Sequence, residues 1–122
     1  MSREDVDCVV IGGGPAGLTA AIYLTRYRRR VVVLDAGHSR AALIPRTRNY
    51  PGYANGISGT DLLAVLRTQA ESYGVTILAS EAQMIVKEGN LFRVTGRQRE
   101  GLGATCRHGD RACRYQTRNR RL

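Results

Sequence analysis

The chain of 122 residues is long enough for one small domain with a single core. Its hydrophobic content of 43% and charged content of 24% are ordinary for a globular protein. Every apolar run is shorter than the roughly 18 residues of a transmembrane helix, and the acidic, polar start differs from a secretory signal. Three scattered cysteines are too few for a disulfide framework. Composition therefore argues against membrane-spanning and disulfide-rich secreted proteins, and we expect a cytoplasmic location.

The net charge of +9 is distributed unevenly along the chain. Residues 97–122 hold eight of the 19 Lys and Arg residues but only two of the ten Asp and Glu residues. The basic character of the whole chain thus describes its last part more than its first. We predict a folded domain over residues 1–96 and a separate basic tail over residues 97–122.

The first predicted elements form a strand–helix–strand unit. Residues 6–11 are an apolar run of strand length that ends at a glycine. Apolar residues at helical spacing follow, and arginines 28–30 close that helix as a solvated terminus, where cations meet the negative end of the helix dipole. Residues 31–35, "VVVLD", are apolar on both faces, as in a buried parallel strand. This pattern predicts a βαβ unit.

The next elements are a long loop, a helix and three strands. Residues 36–57 show no periodicity and contain two prolines, and a loop of this length is usually functional. An amphipathic helix is predicted over residues 59–73 and a third strand over residues 75–78. Residues 82–96 are predicted to form two strands joined at Glu88-Gly89-Asn90, a hairpin signal.

A glycine-rich segment lies between the first strand and its helix, and it fits the pattern G-x-G-x-x-G. In the dinucleotide-binding fingerprint the first glycine permits a tight turn, the second lets a pyrophosphate approach the backbone, and the third packs the helix on the strand. The unpaired N–H groups of the helix start then face the phosphates. We predict a cofactor site formed by this segment: Gly12, Gly13, Gly14, Pro15, Ala16 and Gly17.

An acidic residue, Asp35, ends the second predicted strand. At this position a carboxylate accepts hydrogen bonds from the ribose hydroxyls of an adenosine, and it repels a 2′-phosphate, which disfavours NADP. The fingerprint alone does not separate FAD from NAD. Together these features predict a Rossmann-like, doubly wound α/β domain with a β-hairpin layer.

Two longer segments carry a family resemblance. "CVVIGGGPAGLTAAIYLTRYRRRVVVLDAG" and "RNYPGYANGISGTDLLAVLRTQAESYGVTIL" resemble the N-terminal part of thioredoxin-reductase-like flavoproteins, which are FAD-dependent pyridine-nucleotide disulfide oxidoreductases. The resemblance covers about residues 5–96. The N-x-P-G step at Asn49 and the I-S-G-x-x-L step at Ile57 make it more specific than the glycines alone. The resemblance implies that the fingerprint binds FAD.

The resemblance also implies roles for residues beyond the fingerprint. Asp35, where the family more often has Glu, would hold the ribose, and Ala36 directly follows it in the cofactor site. Asn49 would reach toward the flavin, and Ala82 would pass its backbone near the adenine. Arg40 stands where the better-known reductases carry Gln, which puts thioredoxin in doubt as the partner.

The resemblance further implies features that this sequence does not contain. The family's redox-active C-x-x-C and its second glycine fingerprint, which binds NAD(P)H, are absent. The resemblance thus implies a truncated version of the family's FAD-binding domain. No catalytic residue is predicted here, and the chain is expected to be catalytically incomplete. By resemblance the protein would form a homodimer.

The tail has three competing interpretations. Its last part, residues 104–122, reads "ATCRHGDRACRYQTRNRRL". An arginine-rich tail can bind nucleic acid electrostatically, but no interleaved aromatic and basic stripe supports this in the folded part. Cys106, His108 and Cys113 give only three ligands, which argues against a zinc site, and no other metal site is predicted. The third interpretation is a segment that was never selected as protein.

The third interpretation can be examined by back-translation. Degenerate codons for residues 104–120, read one nucleotide later, permit an apolar strand followed by A-T-G-x-x-D-x-x-P, which is how the family continues. We therefore expect residues from about 97–104 onward to be a frameshift product or disordered. The resulting hypothesis is an FAD-binding fragment of an NAD(P)H-dependent flavoprotein oxidoreductase. The alternatives are a stand-alone dinucleotide-binding module acting with a partner chain and a basic nucleic-acid-binding protein.

Overall fold

The computed structural model describes residues 3–98, 103–107 and 113–116. The elements in chain order are β1 (Arg3–Val6), β2 (Cys8–Ile11), α1 (Pro15–Arg26), β3 (Val31–Asp35), a 3₁₀ helix (Arg40–Leu43), α2 (Gly59–Ser72), β4 (Thr76–Glu88), β5 (Leu91–Gln98), β6 (Gly103–Arg107) and β7 (Cys113–Gln116). Within the described residues the strands form one sheet in the order β1-β7-β6-β5-β4-β3-β2. No helix in this part of the chain is long and apolar enough to cross a membrane.

The predicted βαβ unit is confirmed. Strands β2 and β3 pair in parallel, with Cys8 opposite Val31 and Ile11 opposite Leu34. Strand β4 continues the parallel sheet on the other side of β3, with Asp35 opposite Ala79. Because parallel strands point the same way, their carboxyl ends meet at one edge, and β3 ends there with Asp35.

Both helices pack on the same face of the parallel strands. Helix α1 buries Leu18, Ala21 and Ile22, and α2 buries Leu62, Leu66 and Ala70. These side chains form one core with Val31, Val33 and Val75. In each helix the buried residues are spaced three and four positions apart, so they line the one face that packs on the core.

The opposite face of the parallel strands is covered by β1 and β5 rather than by a described helix. Val6 and Val94 pack with Val32 and Leu34 in a second buried cluster. Alternate residues of β3 thus serve two cores, which explains why four of its five residues are buried. The mixed α/β fold that we predicted is confirmed, and the antiparallel strands supply its second layer.

Two predicted strands are divided differently in the structure. The predicted strand over residues 6–11 is interrupted at Asp7, whose carboxylate accepts a hydrogen bond of 2.7 Å from the backbone N–H of Arg30. The predicted third strand and the first hairpin strand are one strand, β4. Its pairing with β5 shifts register between Ala82 and Met84, a β-bulge that bends the strand away from its parallel partner β3.

The predicted tail contributes two strands to the sheet. Strand β6 pairs with β5, and β7 pairs with both β6 and β1. The rest of the tail, including His108 of the metal interpretation, lies outside the described residues. The boundary at residue 96 and the proposed origin of residues 97–122 in a shifted reading frame stay predictions.

Candidate functional site

The turn from β2 to α1 is tight and begins at Gly12. Gly12 adopts a φ of +106°, in the left-handed region that side chains rarely tolerate. Its N–H donates a 2.8 Å hydrogen bond to the carbonyl of Leu34, which ties the turn to the end of β3. The turn therefore lies at the carboxyl edge of the sheet, beside Asp35.

The last glycine of the fingerprint keeps α1 close to this turn. A Cβ atom at Gly17 would overlap the carbonyl oxygen of Gly12 and lie 3.2 Å from a methyl carbon of Val10. Pro15 occupies the start of the helix, where its missing N–H has no intrahelical partner to lose. The helix can therefore start directly above the strand end.

The start of α1 carries no capping side chain. The N-cap residue is Gly14, so no side chain caps the helix, and its first turn contains no acidic residue. The first N–H groups of a helix are not used within the helix and carry the positive end of its dipole. A Cβ at Gly14 would meet only the hydroxyl oxygen of Ser39, at 3.3 Å, so the backbone here is accessible to a ligand.

Asp35 presents its carboxylate beside this turn. Its side chain is 17% exposed, and Oδ1 accepts a 2.8 Å hydrogen bond from the N–H of Gly37. A Cβ at Gly13 would lie 2.6 Å from Oδ2 of Asp35. Gly13, the unspecified second position of the fingerprint, therefore makes room for the acidic side chain, a role that the sequence pattern did not indicate.

A third element, α2, contributes an arginine to the same place. Nη1 of Arg67 lies 3.3 Å from Oδ2 of Asp35, and Nε of Arg67 lies 3.3 Å from Oε1 of Glu71. Sequence reasoning missed Arg67 because 32 residues separate it from Asp35. The i,i+4 spacing of Arg67 and Glu71 was visible, but that spacing alone indicates a surface pair.

These groups border a shallow cleft of about 160 Å³. Gly13, Asp35, Gly37 and Ser39 line it from the loop side, and Leu18, Leu63 and Arg67 line it from the helices. The cleft combines the carboxylate of Asp35 and the guanidinium of Arg67 with apolar side chains of the two helices. Few polar groups among apolar side chains are typical of a small-molecule site.

Two other predicted site residues lie in the long loop. Arg40 begins the 3₁₀ helix and is exposed, and the Ser39 hydroxyl before it accepts a hydrogen bond from the N–H of Ala41. Asn49 is also exposed, and its Oδ1 accepts a 2.8 Å hydrogen bond from the hydroxyl of Thr47. Thr47, which the sequence analysis did not identify, therefore orients the amide of Asn49.

Ala16 is exposed in the first turn of α1, and two further predicted site residues are Ala36 and Ala82. Ala36 is exposed directly after Asp35, at the carboxyl edge of β3. Ala82 is partly buried at the bulge of β4 and packs against the second core cluster. Neither residue lines the 160 Å³ cleft.

The described residues contain no group of three or more His, Cys, Asp and Glu side chains that could hold a metal ion. Cys8 is a free, partly buried thiol in β2. Burial, and to a lesser degree the negative charge of Asp7, raise the pKa of this thiol. A raised pKa keeps the thiol protonated near neutral pH, so Cys8 is poorly suited to be a nucleophile.

Comparison with known proteins identifies related sequences and structures. Residues 6–104 match the family model for pyridine nucleotide-disulphide oxidoreductases. The chain is 38% identical over 95 residues to thioredoxin reductase of Treponema pallidum (strain Nichols). This match covers 76% of this chain and 31% of the relative. It is 35% identical over 98 residues to thioredoxin reductase of Borreliella burgdorferi, covering 75% of this chain and 30% of the relative.

Solved structures give the same result. A thioredoxin reductase from Gloeobacter violaceus superimposes with a TM-score of 0.70 and 32% identity over 75% of this chain and 29% of that one. Thioredoxin reductase from Giardia duodenalis gives a TM-score of 0.71 and 28% identity over 84% and 33% of the two chains. The chain thus spans about a third of the length of these relatives. The matches do not support either alternative function, the stand-alone module or the nucleic-acid-binding protein.

Proposed function

Because the chain belongs to the family of pyridine nucleotide-disulphide oxidoreductases, we propose that its cleft binds the adenosine and pyrophosphate half of FAD. The observation that carries this proposal is the position of Asp35 next to the uncapped start of α1. The Asp35 carboxylate accepts hydrogen bonds, and the N–H groups at the start of α1 donate them to an anion. A ribose diol and a pyrophosphate are adjacent in FAD and require these two groups at neighbouring positions.

The residues of the turn fit the pyrophosphate. A Cβ at Gly14 would meet only the Ser39 hydroxyl, and the start of α1 has neither a capping side chain nor an acidic residue. A phosphate placed there would accept hydrogen bonds from the N–H groups of Ala16 and Gly17 and would be favoured by the helix dipole. Gly13 and Pro15 would line the same phosphates.

The carboxylate of Asp35 fits the ribose. Each of its oxygens already accepts one hydrogen bond, from Gly37 and from Arg67, and a carboxylate oxygen can accept two. A 2′-hydroxyl and a 3′-hydroxyl could therefore donate to the remaining positions. In this arrangement Ala36 would lie beside the ribose.

Three predicted residues would contact other parts of the cofactor. The amide nitrogen of Asn49 is left free to donate toward the flavin, because Thr47 holds the amide oxygen. Arg40, exposed at the start of the 3₁₀ helix, would contact the cofactor from the loop that follows β3. The backbone of Ala82, which lies where β4 bends, would face the adenine.

The activity of the whole protein is proposed from its family. The bound flavin would accept two electrons from NAD(P)H and deliver them to a disulfide or another acceptor. The residues of this chain would bind and orient the flavin nucleotide, and none of its described side chains is assigned a catalytic step. A homodimer and a cytoplasmic location remain predictions.

This function is tested by titrating the full chain with FAD and measuring binding as the quenching of flavin fluorescence. We expect FAD to bind and ADP to displace it, because both contain the adenosine and pyrophosphate groups. FMN, which lacks the adenosine, should not compete. Asp35→Asn should weaken FAD binding about tenfold, the usual effect of losing hydrogen bonds to a charged acceptor.

The matched control is Asp61→Asn, which removes an exposed carboxylate from the first turn of α2. This variant should bind FAD as the wild type does. If the wild-type chain binds no FAD, or if FMN competes as well as ADP, the proposed function is wrong.

We also propose that residues from about 97–104 onward derive from a shifted reading frame. Their excess of arginine and the family-like continuation in the next frame support this proposal. Sequencing the coding DNA from codon 90 to about a hundred codons past the stop tests it. A shifted frame that continues into A-T-G and a second glycine fingerprint would support a disrupted reductase gene, and a shifted frame that closes at once would contradict it.

A further inference from the structure

The acidic residue of the cleft is paired with an arginine from a distant part of the chain. Arg67 extends from the middle of α2, and its Nη1 contacts Oδ2 of Asp35 at 3.3 Å. Its Nε contacts Glu71 on the same helix, also at 3.3 Å. One guanidinium is therefore shared between two carboxylates, at the wall of the cleft that Gly13 also lines.

This pair is poorly placed to serve stability. The Arg67 side chain is 45% exposed, and exposed ion pairs contribute little to the free energy of unfolding. The distance is also longer than the 2.7–2.9 Å typical of strong charge-assisted hydrogen bonds. Because the pair contributes little to stability and lies at the cleft, its role is more readily sought in ligand binding.

The geometry divides the two oxygens of Asp35 between two fixed donors. Gly37 donates to Oδ1 from the loop, and Arg67 donates to Oδ2 from α2. The two donors restrain the plane of the carboxylate, with Oδ2 against Gly13. A restrained carboxylate loses less freedom when a ribose diol binds it.

We propose that Arg67 is a positioning residue for the ribose carboxylate, and that Asp35 in turn withholds Arg67 from phosphate groups. This inference rests on the proposed function and extends it to the choice between nucleotides. Arginine is well suited to bind a phosphate with two parallel hydrogen bonds. Here two carboxylates surround it, so the three side chains together carry one negative charge, and a 2′-phosphate is repelled.

A preference of the site for nucleotides without a 2′-phosphate has two possible explanations. If Asp35 excludes a 2′-phosphate only by its own charge, removing that charge makes the site indifferent. If Asp35 also occupies Arg67, removing Asp35 releases an arginine that attracts the 2′-phosphate. The second explanation requires Arg67, and the first does not.

The test compares ADP-ribose with 2′-phospho-ADP-ribose, which differ only in the 2′-phosphate, by calorimetry on the full chain. Asp35→Asn should shift the ratio of the two dissociation constants toward the phosphorylated ligand by about tenfold, as expected for a new charge-assisted contact. In Asp35→Asn/Arg67→Gln the shift should fall below about threefold.

Single variants test the positioning role. Arg67→Gln should weaken FAD binding by about three- to tenfold. Arg67→Lys keeps the charge but not the planar guanidinium, so its affinity for FAD should lie between those of Arg67→Gln and the wild type. The matched control is Arg93→Gln, because Arg93 forms an exposed pair of the same kind with Glu88 on the hairpin, at 2.7 Å. That variant should bind both ligands as the wild type does.

The outcomes separate this inference from the proposed function. A wild-type chain that binds neither FAD nor ADP-ribose overturns both. The second outcome is a wild-type chain that binds both ligands, while the ratio of the two dissociation constants shifts equally in Asp35→Asn and in Asp35→Asn/Arg67→Gln. That outcome overturns only the claim that Asp35 withholds Arg67 from phosphate groups. Unchanged FAD affinity in Arg67→Gln overturns its positioning role.

Discussion

Gly13 and Asp35 are packed so closely that a Cβ atom at Gly13 would lie 2.6 Å from Oδ2 of the carboxylate. Gly13 lies in the turn that follows β2, and Asp35 ends the adjacent parallel strand β3, so the two residues meet at the carboxyl edge of the sheet. The position between the first two fingerprint glycines therefore has its own steric requirement, which comes from the acidic residue and not from a ligand.

Gly13→Ala should displace the Asp35 carboxylate and weaken FAD binding about tenfold or more, since the ribose would lose its acceptor. The free energy of unfolding should also fall, by about 1–3 kcal/mol, because the added atom would lie 2.7 Å from Cβ of Asp35, which moves only with the backbone of β3. Titration with FAD and denaturant unfolding measure the two effects. In an Asp35→Ala background the same substitution should have little further effect on FAD affinity, and full additivity would contradict this explanation.

Gly14→Ala should separate ligand contact from protein packing. The φ of Gly14 is −78°, which alanine adopts readily, and its Cβ would meet only Ser39, at 3.3 Å. The free energy of unfolding should change by less than about 1 kcal/mol. FAD binding should nevertheless fall sharply, because the methyl group would occupy the space of the pyrophosphate. Unchanged FAD affinity, measured by the same titration, would mean that the phosphates do not approach this residue.

Gly17→Ala and Gly59→Ala should both destabilise the fold. A Cβ at Gly17 would overlap the carbonyl oxygen of Gly12, and a Cβ at Gly59 would overlap that of Ala41. Backbone atoms cannot move aside as side chains do, so we expect a loss of about 1–3 kcal/mol or more in each case. Urea unfolding followed by circular dichroism measures it. Thr68→Ala, at an exposed position of α2, is the control and should stay within about 0.5 kcal/mol of the wild type.

Leu34→Ala should test the second core cluster, on the face of β3 opposite the helices. Leu34 is 2% exposed in the central strand β3 and packs against Val6 and Val94. Removing a buried leucine side chain typically costs about 2–5 kcal/mol. Val65→Ala on α2 is the matched control, because Val65 is 46% exposed, and it should change stability by less than about 0.5 kcal/mol. Equal losses in the two variants would contradict the described packing of β3.

Alkylation of Cys8 should depend strongly on pH. Burial, followed by the charge of Asp7, raises the pKa of this thiol, so the reactive thiolate forms only above the ordinary thiol range. The folded chain then holds the proton more tightly than the unfolded chain. The free energy of unfolding should therefore fall as the pH rises above about 8.5, the pKa of an unfolded thiol.

Iodoacetamide labelling of a Cys106→Ser/Cys113→Ser variant measures the reactivity of Cys8 alone. Labelling should be slow at pH 7 and become fast in urea. Asp7→Asn should lower the apparent pKa part of the way toward the unfolded value. Rapid labelling of the folded chain at neutral pH would contradict the burial of this thiol.

The sequence by itself determined the elements whose signals are local. An apolar run, a glycine turn and a helical spacing within 30 residues specify β2, α1 and β3, because the side chains concerned are neighbours along the chain. The position of Asp35 at the end of β3 follows from the same run. The predicted helix over residues 59–73 differs from α2 by one residue at its end.

Only the tertiary structure decided which partners these elements have. Strand β4 is continuous because β3 pairs with its first part and β5 with its second, and no local pattern shows where one partner replaces the other. The second core depends on Val6 and Val94, which are 88 positions apart in the sequence. The pairing of Asp35 with Arg67 likewise depends on how α2 packs on the sheet. A contact between distant residues is set by the packing of whole elements, so the sequence specifies the nucleotide turn, and the fold specifies what surrounds it.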